Sequence, residues 1–88
     1  MKIVGDKINK KRPVFEVNKK DVIEGEETIV TTLCWEKEAG KEQWEPTGEC
    51  QTIFLDEIPQ EDIELALTEY LDEEVMDFKK EGYKLKKV

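Results

Sequence analysis

The chain has 88 residues, 38% of them apolar, and a formal net charge of −8. That suits one domain with a modest core, and disorder is disfavoured because the apolar residues fall in periodic runs. There is no histidine, and the two cysteines, Cys34 and Cys50, lack CxxC spacing, which removes Ser-His and Cys-His nucleophile pairs and the usual zinc sets.

Residues 1–4 suit a short strand, whereas residues 5–13, GDKINKKRP, are polar and basic and read as a loop or mobile arm. Their KKR cluster could meet phosphate, but without interleaved aromatics on an acidic chain a solvated loop is the better reading. Residues 14–17 form a second short strand candidate, followed by turn composition at 18–21 and a Glu-Gly-Glu-Glu turn after Ile23.

From Thr28 the pattern alternates, with Ile29, Thr31, Leu33 and Trp35 on one face and Val30, Thr32, Cys34 and Glu36 on the other. A two-residue loop at Ala39-Gly40 would set Glu38 opposite Lys41, Lys37 opposite Glu42 and Trp35 opposite Trp44. Residues 46–49 read as a second turn and residues 50–55 as a third strand, with Pro46 distorting the strand between. In that meander the cysteines lie two strands apart, about 9–10 Å, and are expected as thiols. Its inner face would carry Ile29, Leu33, Trp35, Trp44, Ile53 and Leu55; Val30, Cys34, Glu45, Cys50 and Phe54 would lie on the other.

Residues 59–81 read as one long helix. Ile63, Ala66, Leu67, Tyr70, Leu71, Val75 and Phe78 form its apolar stripe, Pro59 suits its first turn and Gly82 its end. Glu74 falls within that stripe and is expected to lean to its rim or to pair with a lysine. The opposite side gathers Asp62, Leu65, Glu69, Asp72, Glu73 and Met76, the candidate partner-binding residues. After it, Tyr83 and Leu85 alternate with lysines, as in an edge strand. The fold class expected is α+β: a single domain over residues 1–88, an antiparallel β-meander packed against one long C-terminal α-helix, with room for short extra strands at both termini.

Charge is unevenly spread. Residues 1–20 hold seven basic and two acidic side chains and residues 78–88 five and one, so the ends carry +5 and +4; residues 21–77 hold nineteen acids against Lys37 and Lys41, a net of −17. No phosphate-binding glycine loop and no EF-hand loop is present, so no catalytic, cofactor or metal residues are assigned and an enzyme is not expected. No stretch approaches the roughly 18 apolar residues of a membrane span, and MKIVGDKINKKR lacks the apolar core of a secretory leader, so a cytoplasmic location and no membrane partner are expected.

The function expected is a small acidic protein-binding module, an inhibitor or regulator that meets a basic protein surface through the helix acids. A sharper form is a nucleic-acid mimic of the phage or mobile-element type. The alternative is an assembly subunit that self-associates through its sheet; direct nucleic-acid binding ranks last.

Overall fold

The computed structural model describes residues 1–23, 25–56, 63–74 and 77–88. Five strands form one antiparallel sheet in the order β4-β3-β2-β1-β5: β1 (Lys2–Gly5), β2 (Lys11–Ile23), β3 (Glu26–Glu38), β4 (Trp44–Asp56) and β5 (Leu85–Lys87). One helix, α1 (Ile63–Glu74), joins β4 to the C-terminal segment. The fold is α+β, as expected, but the described helix has 12 residues, and the expected start at 59–62 lies outside the described residues.

Alternation places Ile3, Phe15, Val17, Ile29, Leu33 and Ile53 on the face that meets the helix, and all six are buried. Ile63, Leu67 and Leu71, spaced four apart, cover them from α1. Phe78, expected as the last helical stripe residue, is buried in a turn at 77–82 that follows the described helix. That turn closes as a Schellman motif, in which Tyr83 N–H donates to the Phe78 carbonyl (3.2 Å) and Gly82 N–H to the Lys79 carbonyl (3.0 Å). Gly82 has φ +78°, and the Phe78 and Tyr83 rings lie 5.7 Å apart, the apolar contact usual for this cap.

The structure corrects several expectations on β2 and β4. The residues 5–13, read as a loop or arm, contain the end of β1, a turn over 6–10 with Asn9 and Lys10 at positive φ, and the start of β2. β2 also runs on through 18–21, with a register shift between Val17 and Lys19 where a turn was expected. The turn expected at 46–49 is an irregularity inside one 13-residue strand, β4. Thr47, Gly48 and Glu49 there oppose the single residue Trp35, between the pairs Glu36↔Pro46 and Cys34↔Cys50. Thr47 Oγ1 donates to the Trp35 carbonyl (3.0 Å) and accepts from Glu49 N–H (3.1 Å), and Gly48 takes φ +89°, so the extra residues are held by local bonds.

Register decides the cysteines and tryptophans. The β3–β4 loop spans 39–43, closed by Ala39 N–H to the Gln43 carbonyl (2.9 Å), so Trp44 faces Glu38 instead of Trp35. That three-residue shift is odd, and an odd shift moves Trp44 to the face away from the helix. Charge could not forbid it, because Lys37 meets an acid in either register and here pairs with Glu45 (3.3 Å). The same shift puts Glu45 opposite Lys37, on the helix side instead of the far face.

With β3 and β4 directly paired, Cys34 and Cys50 stand opposite one another, Cα atoms 4.1 Å apart, joined by a disulfide and not left as thiols. The link spans 16 residues and constrains the unfolded chain by about 3 kcal/mol.

Thr31 is fully buried between Val17 and Ile53 in the cross-strand row, and its hydroxyl has no hydrogen-bond partner among the described residues. Replacing it with the similarly shaped valine removes a desolvated polar group, so Thr31→Val is expected to raise the stability measured by urea unfolding by about 1 kcal/mol. A loss of stability would show that the hydroxyl is satisfied in solution.

Candidate functional site

Sequence and topology together sort charge across the sheet. β4 holds Glu45, Glu49 and Asp56 with no base, and β3 holds Glu26, Glu27, Glu36 and Glu38 against Lys37. β2 holds Lys11, Arg12, Lys19 and Lys20 against Glu16 and Asp21, β1 holds Lys2, and β5 holds Lys86 and Lys87. The strands thus carry −3, −3, +2, +1 and +2 in spatial order. The basic ends of the chain do meet, along β1 and β5, and α1 adds Glu64, Glu69, Asp72, Glu73 and Glu74 with no base.

Among the expected partner-binding residues, Leu65, Glu69, Asp72 and Glu73 share the outward side of α1, where Leu65 is 59% exposed; Asp62 and Met76 lie outside the described residues. Two of the four also serve the fold. Glu69 Oε1 accepts from Lys79 Nζ at 2.9 Å, and Asp72 Oδ1 accepts the Lys79 backbone N–H at 2.9 Å, which fastens the 77–82 turn back onto α1. The Lys79 ammonium is held above its ordinary pKa, first by the Glu69 hydrogen bond.

The structure adds a place that composition did not reveal. Glu74 is exposed, as expected of a residue at the rim, and it stands at the C-terminal end of α1 beside a groove of about 460 Å³. Leu33 and Trp35 contribute to its floor from β3, Glu49 and Gln51 line it from β4, and Lys11 lines it from β2. Gln51 Nε2 donates to the Tyr70 hydroxyl, tying α1 to β4 at this point. Lys11 Nζ lies 3.3 Å from Glu49 Oε1, whereas no ion pair holds Glu74 among the described residues.

The sheet face away from α1 has no described element over it. Val4, Val14, Cys34 and Cys50 form one cross-strand row there, and Phe54 is 58% exposed. The segment 14–17 does not cover this face, because it pairs edge to edge within the same sheet. Arg12 lies over the Trp44 ring, 4.5 Å from its centroid, and donates from Nε and Nη2 to Glu36 Oε1 at 2.8 Å each. Two of the three KKR cations are therefore engaged within the molecule, Lys11 by Glu49 and Arg12 by Glu36.

Among the described residues no group of three or more His, Cys, Asp or Glu side chains could hold a metal ion, and no helix is long and apolar enough to cross a membrane. No protein-family model, curated protein or solved structure gives a significant match to this chain.

Tyr70 reports on the groove wall. Its phenol is raised above its ordinary pKa, first by burial and then by the Glu74 charge, with the Gln51 hydrogen bond opposing both. A raised folded-state pKa means that the native protein holds this proton more tightly than the unfolded chain, so its contribution to stability is complete below the ordinary phenol pKa and is lost as pH rises through the raised one. In a Tyr83→Phe background, ultraviolet titration should place Tyr70 above an unfolded phenol, and Glu74→Gln should bring it down. An unchanged midpoint in that variant would show that Glu74 does not face Tyr70.

Proposed function

We propose that this protein is a non-enzymatic binding module whose acidic side, α1 together with β3 and β4, receives a partner protein with a basic surface. The observation that carries this reading is the separation of charge across the strand order, with the helix acids added to the acidic half. A field concentrated on one side steers a cationic partner into encounter, and a few apolar contacts then hold it. Leu65 supplies one such contact on α1, in company with Glu69, Asp72 and Glu73.

The nucleic-acid mimic is the less favoured form. Imitating a phosphate backbone needs a run of unpaired anions, and here Glu69 is paired while Asp72 is spent on a backbone N–H. Self-association through the sheet is a second reading, favoured by Phe54 and by the Val4, Val14, Cys34, Cys50 row on the face that α1 leaves open. A cytoplasmic location remains part of the proposal, although a disulfide such as Cys34–Cys50 is more usual in oxidising compartments.

A peptide rich in lysine and arginine serves as the probe. Binding measured by calorimetry should weaken at least about tenfold as salt rises from about 50 mM to about 500 mM, because screening removes the field at a distance. Glu64→Lys with Glu73→Lys should weaken it as well, while Lys86→Glu with Lys87→Glu should not. Salt-insensitive binding, or equal affinity in the acidic-side variant, would overturn the proposal.

A further inference from the structure

On the helix side of the sheet the described helix is shorter than the strands it lies on. Strands of 13 residues extend about 43 Å, whereas a 12-residue helix covers about 18 Å. The described part of α1 ends at Glu74, and Glu74 lines the groove together with residues of β3 and β4. The groove floor includes a half-buried indole, Trp35, in place of a fully enclosed apolar contact. A second depression of about 360 Å³ shares Leu33, Trp35, Glu49 and Gln51 and continues over Gly48 toward the β4 edge. The two together offer room for an extended segment that crosses the edge strand.

Resting on the protein-binding reading above, we propose that this groove receives an arginine or lysine side chain from an extended basic segment of the partner. Three features converge on a cation there. Carboxylates stand on two walls, Glu74 from α1 and Glu49 from β4, and Glu74 carries no ion pair among the described residues. The last turn of the described helix contains no basic residue to offset Glu74. Between the walls lies Trp35, the side chain whose π face attracts guanidinium and ammonium groups most strongly.

The incoming cation would lie against the Trp35 ring with its charge toward Glu74, and it would compete with Lys11 for Glu49. Lys11 is at the rim of the same groove and is half exposed, so it can swing into solvent without disturbing the core. Trp44 cannot serve in this way, because it lies on the far face with Arg12 already over its ring. The two tryptophans therefore give an internal contrast: one aromatic face already holds a cation and the other is open to one.

The test uses the full chain and a blocked tetrapeptide containing one arginine, followed by nuclear magnetic resonance at low salt. The peptide should shift the Trp35 indole N–H and leave that of Trp44 in place, and the same peptide with citrulline for arginine should shift neither. Glu74→Gln should weaken binding about threefold to fivefold, the size of one exposed carboxylate or cation–π contact, whereas Glu73→Gln on the outward side of α1, which lowers only the general field, should weaken it distinctly less. Equal weakening by Glu73→Gln and Glu74→Gln, with shifts spread over the outer helix face, would overturn the groove and leave the basic-partner reading standing. No response of any acidic-side resonance to the arginine peptide, or to the lysine- and arginine-rich peptide, would overturn both.

Discussion

The register between β3 and β4 decides which side chains the helix meets and which the solvent meets. It is held at its centre by the Cys34–Cys50 bond, with Thr47 clasping the irregularity opposite Trp35 and the five residues 39–43 closing the end. Because side chains alternate along a strand, a change of one or three residues would exchange the faces of β4. Ile53 and Leu55 would then leave the core, and Phe54 would replace them. A covalent link between directly opposed residues makes such a slip impossible without breaking a bond, and this gives the helix a fixed floor.

Onto that floor comes α1, whose described part, 12 residues, is shorter than the strands of 13. On the helix side Trp35 is half-buried beside Glu74, where the acidic walls and the indole face form the groove proposed for a cation. On the other side, where no described element lies, Arg12 lies over the half-buried Trp44 at the hairpin end and its guanidinium is tied to Glu36. The separation of acid from base follows from topology: β1 and β5, drawn from opposite ends of the chain, become neighbours, and the acidic middle of the sequence supplies β3, β4 and α1.

Some of this was legible from residues alone. The alternation of Ile29, Thr31, Leu33 and Trp35 and the four-residue spacing of Ile63, Leu67 and Leu71 each report a local periodicity, and both appear in the structure, whereas Gly82, read as the stop of the long helix, closes the 77–82 turn instead. What could not be read is what depends on partners distant in sequence. Pro46-Thr47-Gly48-Glu49 has turn composition, yet the same residues build an irregularity when flanking pairs hold the strand in line. Acids are so abundant around Lys37 that complementary charge is satisfied in more than one register and selects none. The cysteine pairing was missed as a direct result, since splitting β4 into two strands placed Cys34 and Cys50 in different layers of the meander. The groove was illegible for another reason: Trp35, Glu49 and Glu74 come from three elements and converge only in the folded chain.

The most direct test of this arrangement is a set of nuclear Overhauser contacts in the oxidised protein. The observed register predicts a strong contact between the Hα protons of Cys34 and Cys50, which form a close pair, and contacts from the Trp44 ring to the Arg12 side chain, with none between the two indoles. Contacts between the Trp35 and Trp44 rings would contradict it, because they require the shorter loop, the opposite face for Trp44 and a different floor beneath the helix.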